Sequence, residues 1–187
     1  MYTVADLRKG LQVVIDDEPC VVITFEFAKP GKGQAIYRTR MRNMLTGAII
    51  DRTYRSGEAL QQASLDHRNM QYLYKDEHNY YFMDNETYEQ VAIGQDALGD
   101  AYYYLKDNLT VEVLFFRGQA IGVNPPTFVN LRVTGAAPWA KGDTSGADSR
   151  LVTLESGHEL RVPPFIVEGD VLQIDTRTGQ YVTRVKE

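Results

Sequence analysis

Short runs of Val, Ile, Phe, Tyr and Thr recur along most of the chain, broken by clusters of Gly, Pro, Asn and Asp. In the first third the runs are 13–15, 20–27, 35–41 and 48–54. Asp16-Asp17-Glu18-Pro19, Lys29-Pro30-Gly31-Lys32-Gly33 and Thr46-Gly47 separate them, and each is turn chemistry. Alternation is cleanest at Tyr37-Arg38-Thr39-Arg40-Met41-Arg42, where a strand puts the three arginines on one face and Tyr37, Thr39 and Met41 on the other. The stretch 57–64 has few strand formers and reads as a boundary. A second series follows at 70–74, 80–84 and 87–91, with Asp76-Glu77-His78-Asn79 as a hairpin loop. Residues 95–107 carry Leu98, Tyr102 and Leu105 at roughly helical spacing and predict the one helix. A hairpin over 109–123 turns at Arg117-Gly118-Gln119, and Asn124-Pro125-Pro126 stops both helix and central strand. The last third repeats the pattern at 128–133, 151–154, 159–162, 171–174 and 181–185. Five short strands in a segment of this size fit an oligonucleotide-binding barrel. The predicted architecture is all-β, three small β-barrels in series, with domains at 1–64, 65–126 and 127–187.

Composition changes this picture little. The 187 residues are 43% hydrophobic and 24% charged, which excludes a disordered chain, a collagen-like repeat and a coiled coil. The apolar runs are only a few residues long, whereas a membrane-spanning helix needs about 20. The first ten residues hold no apolar signal-peptide core. A single cysteine, Cys20, excludes an internal disulfide and any zinc cluster built on cysteines. A reducing, cytoplasmic compartment and no membrane association are expected.

Charge is more informative. The net charge of −5 argues against nucleic-acid binding, but it hides an asymmetry. Residues 66–126 carry 4 Lys/Arg against 10 Asp/Glu. Residues 29–55 carry seven cations, Lys29, Lys32, Arg38, Arg40, Arg42, Arg52 and Arg55, against Asp51 alone. Two readings are open here: an ordinary solvated strand face, or a patch that faces a polyanion.

Catalytic signatures are missing. There is no phosphate-binding Gly-rich loop ending in Gly-Lys-Ser/Thr, no Gly-x-Ser-x-Gly elbow and no His-Glu-x-x-His. His67, His78 and His158 lack ligand-like spacing and read as surface or turn residues, and Cys20 reads as inert core. Small barrels offer few deep pockets, and their sheet faces and loops suit binding. Two loops stand out. In Lys29-Pro30-Gly31-Lys32-Gly33-Gln34, Pro30 stiffens the entry and two glycines leave Lys32 uncrowded at a hairpin tip. Such a lysine can enter a narrow space, or simply solubilise a turn. In Lys141-Gly142-Asp143-Thr144-Ser145-Gly146, backbone amides can approach phosphate closely, or the segment is a plain connection.

These motifs, in this order, resemble bacterial elongation factor P along the whole chain. The resemblance rests on Lys29-Pro30-Gly31-Lys32-Gly33-Gln34-Ala35, Thr53-Tyr54-Arg55-Ser56-Gly57-Glu58, Met70-Gln71-Tyr72-Leu73-Tyr74 and Phe82-Met83-Asp84-Asn85-Glu86-Thr87-Tyr88-Glu89-Gln90. It extends through Pro125-Pro126, Lys141-Gly142-Asp143-Thr144, Val162-Pro163 and Asp175-Thr176-Arg177-Thr178-Gly179-Gln180-Tyr181. It implies an SH3-like first barrel and two oligonucleotide-binding barrels in an elongated, tRNA-like arrangement. It implies a non-enzymatic monomer without cofactor or metal, which binds the 70S ribosome between the P and E sites and assists synthesis of consecutive prolines. Lys32 then lies by the CCA end of the P-site peptidyl-tRNA, supported by Pro30, Gly31, Gly33 and Gln34, and is a substrate for a lysine-modifying enzyme. Lys29, Arg38, Arg40 and Arg42 face tRNA or rRNA. Gly142, Asp143, Thr144, Ser145 and Gly146 face the E-site mRNA, and Tyr181 and Arg184 approach the P-site tRNA stem. The chain departs from the family where Ser145-Gly146-Ala147-Asp148 replaces further glycines, and where Pro163-Pro164 replaces Pro-Leu. Two other readings remain from the residues: a general single-stranded RNA-binding or RNA-chaperone protein, and an enzyme using Asp143 or a histidine.

Overall fold

The structure is a computed structural model, and it describes residues 1–138 and 149–186. Strands β1 (Tyr2–Thr3), β2 (Gln12–Ile15), β3 (Glu18–Ala28), β4 (Ile36–Asn43), β5 (Ile49–Arg55) and β6 (Ala59–Gln62) form one sheet, in the order β1-β6-β2-β3-β4-β5. Strands β7 (Asp66–Lys75), β8 (Asn79–Asp84), β9 (Gln90–Gly94), β10 (Thr110–Phe116) and β11 (Gln119–Asn124) form a second, in the order β11-β10-β7-β8-β9. The third holds β12 (Phe128–Ala136), β13 (Arg150–Leu154), β14 (Glu159–Val162), β15 (Val171–Asp175) and β16 (Gln180–Val185), in the order β14-β13-β12-β15-β16.

The fold class is therefore all-β with three sheets. The second and third sheets share one topology: the first strand of each is central, with the next two on one side and the last two on the other. The sequence differs from this result at three of its predicted elements. The strand expected at 87–91 begins only at Gln90, because Thr87 and Tyr88 are tied back to Asp84 in a turn. The stretch 57–64 contains β6, which pairs with β1 at Tyr2↔Leu60 and with β2 at Val13↔Gln62. Ala59-Leu60-Gln61-Gln62 has weak strand propensity; a vacant sheet edge and burial of Leu60 supply what propensity lacks. The predicted helix over 95–107 is instead one α-turn, α1 (Gln95–Leu98), and a 3₁₀ segment, Gly99–Tyr104. Gly99 takes φ +54° and ψ −134°, which ends the α-helical path there.

The chain divides into two compact units: Met1–His67 with Leu114–Gly122, and Arg68–Val113 with Val123–Glu187. The first unit has one core of Val4, Leu11, Val13, Cys20, Val22, Met41 and Leu60. A second cluster joins Val14 and Ala63 to Leu114, Phe116 and Ile121 from β10 and β11. The last sheet closes on Val129, Leu131, Val152, Leu154, Ile166, Leu172 and Ile174, together with Tyr104 of the 3₁₀ segment. Among the described residues no helix is long and apolar enough to cross a membrane.

Candidate nucleic-acid interface

The β3–β4 hairpin carries most of the predicted site. Its ladder ends at Ala28↔Ile36, so residues 29–35 lie outside it. Pro30 sits at the start of that span, where a missing N–H removes no ladder bond. Gly33 adopts φ +137°, a region that a side chain disfavours. Gly31 has an ordinary φ and open space where a Cβ would stand, so its glycine keeps room rather than geometry. The Ser56 N–H donates to the Ala35 carbonyl at 3.0 Å and ties the far side of the loop to the end of β5. Lys29, Pro30, Gly31, Lys32 and Gly33 are all exposed, and Gln34 beside them is exposed too. Among the described residues Lys32 has no hydrogen bond or ion pair that would hold its amine back. The loop therefore presents Lys32 as a free cation on a stiff base, with Lys29, likewise exposed and unpaired among the described residues, at its entry.

Arg38, Arg40 and Arg42 are exposed and share a face, while Thr39, Met41 and Asn43 between them are buried. Thr39 is the polar member of that inner row, and its hydroxyl donates to the Arg52 carbonyl at 2.8 Å. The three arginines are not equivalent. Asp51 lies opposite Arg40 and takes it in two contacts, Nε to Oδ1 at 3.0 Å and Nη2 to Oδ2 at 3.4 Å. The Arg40 hydrogen bond holds the Asp51 carboxyl below its ordinary range, and Asp51 raises Arg40 in turn. Arg38 lies opposite Glu26 and Thr53, and Arg42 opposite Val21 and Ile49. Neither forms an ion pair among the described residues, so they, Lys29 and Lys32 are the uncompensated cations of this hairpin. Arg52 points to the other side and pairs with Asp16 at 2.7 Å.

Tyr181 and Arg184 come together through an irregularity the sequence does not display. Three residues apart, they fall on opposite faces of a regular strand. The pairings Gln173↔Thr183 and Ile174↔Tyr181 leave Val182 as an extra residue in β16, a bulge that restores both to the face of Ile174 and Leu172. Tyr181 packs against the last core. Arg184 lies 3.7 Å from Asp170 and stacks over Phe165 at 5.3 Å. Gly142, Asp143, Thr144, Ser145 and Gly146 lie outside the described residues.

Among the described residues the candidate catalysts are not brought together, and Asp143 lies outside them. Burial pushes the Cys20 thiol up, and the residue is fully enclosed. His67 and His78 are exposed as expected, but His158 is half-buried, its ring 4.4 Å from Tyr103. His158 does lie in the turn between β13 and β14, but it is not a plain surface residue, because it meets the Tyr103 ring, which is distant in sequence. Among the described residues no group of His, Cys, Asp and Glu is placed to hold a metal ion. The sequence reading also missed a groove of about 520 Å³ lined by Tyr72, Tyr74, Tyr80 and Tyr102, with Lys75 and Lys106 on its walls.

The barrels, the hairpin cation and the arginine face invite comparison with known proteins. Three family models match in succession: the elongation factor P KOW-like domain over 3–60, the elongation factor P OB domain over 65–123 and the elongation factor P C-terminal domain over 129–184. Elongation factor P 2 of Geobacter sulfurreducens is 62% identical over 186 residues, and the match covers 100% of both chains. The chain belongs to the elongation factor P family. Elongation factor P of Desulfotalea psychrophila is 55% identical over 187 residues, again across 100% of both chains. Elongation factor P is a non-enzymatic translation factor. Among solved structures, the eukaryotic translation initiation factor 5A from Methanococcus jannaschii aligns with TM-score 0.54 at 24% identity, over 63% of this chain and 89% of that one. At that identity the likeness concerns the fold.

Proposed function

We propose that this elongation factor P binds the 70S ribosome between the P and E sites and promotes peptide-bond formation at consecutive prolines by steadying the peptidyl-tRNA through Lys32. The observation that carries this reading is the exposed, unpartnered amine of Lys32 on the Pro30-Gly31-Lys32-Gly33 loop. Proline is a secondary amine in a rigid ring, and consecutive prolines limit the geometries open to attack. A factor that fixes the end of the peptidyl-tRNA lowers the entropic part of that barrier, a kind of effect worth up to roughly 7–11 kcal/mol in model reactions. The factor itself moves no proton. The Lys32 ammonium, extended by a lysine-modifying enzyme or not, acts as a placed cation against phosphate and ribose oxygens.

In this reading Lys29, Arg38, Arg40 and Arg42 face tRNA or rRNA, with Arg38 and Arg42 contributing more than the neutralised Arg40. Tyr181 and Arg184 meet the P-site tRNA stem, and 142–146 meets the E-site mRNA. The working units are 1–64, 65–126 and 127–187, and the factor acts as a cytoplasmic monomer. Lys32→Ala is expected to abolish stimulation of Pro-Pro-Pro synthesis in a reconstituted translation reaction, with an unchanged thermal unfolding midpoint. Wild-type stimulation by that variant would refute the loop-lysine mechanism. Co-sedimentation with 70S ribosomes separates this reading from general RNA binding: strong affinity for free oligonucleotides without ribosome association favours the latter.

A further inference from the structure

Strand β3 carries a bulge near its middle. Val22 pairs with Met41 and Thr24 with Arg40, so Ile23 has no partner of its own. The extra residue reverses the strand's alternation. Beyond it, Thr24 and Glu26 join the arginine face, while Phe25 and Phe27 turn to the side of Val22 and Met41. Within the barrel that side is core. Along the half of the hairpin nearer the loop that side is only partly covered among the described residues: Phe25 is 40% and Phe27 is 56% exposed. The Phe27 ring lies 5.1 Å from Tyr37, which is itself opposite Tyr54. An apolar strip thus runs from the end of the core to the root of the Lys32 loop. The only acid in 29–55 is Asp51, which is held by Arg40.

We propose that Phe25 and Phe27, backed by Tyr37, form a shelf on which unpaired bases at the end of an RNA strand stack while Lys32 meets the neighbouring phosphates. The inference rests on the reading that this hairpin faces tRNA, and adds residues and a recognition chemistry to it. Aromatic faces beside cations are the chemistry of single-stranded nucleic acid, because every base has a π-face and every linkage a negative charge; here the cations are Lys29 and Lys32 of the loop, since Arg38, Arg40, Arg42 and Glu26 lie on the opposite face of the hairpin. The strip is too small for a stable protein interface, which buries about 800 Å² per partner. Two rings and a tyrosine edge match one or two bases.

The test uses 70S ribosomes whose P-site tRNA carries 2-aminopurine in place of its last adenosine. Stacking on the shelf quenches that fluorophore. The Phe25→Leu/Phe27→Leu double variant keeps apolar surface and removes the π-faces. It is expected to co-sediment with ribosomes as the wild type does, to lose most of the quench, and to slow Pro-Pro-Pro synthesis about tenfold at saturating protein. An unchanged quench in the double variant overturns the shelf while leaving ribosome binding intact. Failure of the wild type to co-sediment overturns the ribosome reading and the shelf with it. A double variant that keeps the quench, but whose Lys32 peptide lacks a mass increment present in the wild type, would assign the strip to a protein acting on Lys32 and overturn the RNA shelf.

Discussion

Lys32 owes its freedom to its neighbours more than to its own chemistry. Pro30 restricts the entry, Gly33 takes a backbone angle that other residues resist, and no acid among the described residues holds the amine. Arg40, on the same hairpin, is the counter-example: a carboxylate directly across the ladder consumes its charge. Position relative to a partner, not residue type, separates an available cation from a spent one. His158 makes the same point for titration. Its ring packs 4.4 Å from Tyr103 and 6.0 Å from Tyr104, and burial lowers its pKa although Asp100 and Glu159 pull the other way. The unfolded chain then takes up the proton more readily. Stability of the second unit is complete above about pH 6.5 and falls as the pH drops through that value toward the depressed folded one. Urea midpoints across this range are expected to decline for the wild type and to flatten for His158→Phe.

At the scale of elements, one turn is used three times. Asn43 Oδ1 accepts from the N–H groups of Leu45 and Thr46, Gly47 N–H donates to the Asn43 carbonyl, and Ala48 N–H donates to the Thr46 hydroxyl. Asp84, Glu86, Thr87, Tyr88 and Glu89 repeat these bonds in the second sheet. Asp175, Arg177, Thr178, Gly179 and Gln180 repeat the same design in the third. The fifth residue takes positive φ each time: Gly47 at 76°, Tyr88 at 61° and Gly179 at 75°. Tyr88 is the misfit, and at 72% exposure it gains little packing in return. Relief of about 1–2 kcal/mol of left-handed strain outweighs the extra unfolded freedom of glycine, about 0.4–1 kcal/mol. Tyr88→Gly is therefore expected to stabilise by about 0.5–1 kcal/mol in chemical denaturation, and Tyr88→Val to destabilise. Much of this was legible: Thr46-Gly47 and Thr178-Gly179 read as turns, and the strands around them as strands. The helix over 95–107 was not, because spacing of apolar residues says nothing of the angle Gly99 adopts.

At the scale of the molecule, contacts distant in sequence decide which residues make a core. Tyr104 is buried among Val129, Leu131 and Leu172, and its hydroxyl stands 3.1 Å from where a Cβ on Gly179 would be. The Ser156 hydroxyl donates to the Tyr103 carbonyl beside it. Tyr104→Ala is expected to cost about 3–5 kcal/mol, read as a lower urea midpoint and as faster amide exchange in β12 and β15. A protein in which Lys32 still worked after that loss would show the loop to be independent of the second unit. Most strands, the turns, the arginine face and the lysine at the hairpin tip could be read from neighbouring residues, because each follows from alternation or turn chemistry within a short span. Other features needed the folded chain: that weak 59–62 becomes a strand, that Leu114–Gly122 joins the first unit, and that Tyr104 enters the last core. The same holds for the bulges at Ile23 and Val182, which turn Phe25 and Phe27 to the partly covered side and bring Tyr181 and Arg184 to one face. The reason is physical: the parity of a strand is set by the partner it pairs with, and that partner is chosen by burial across the whole chain.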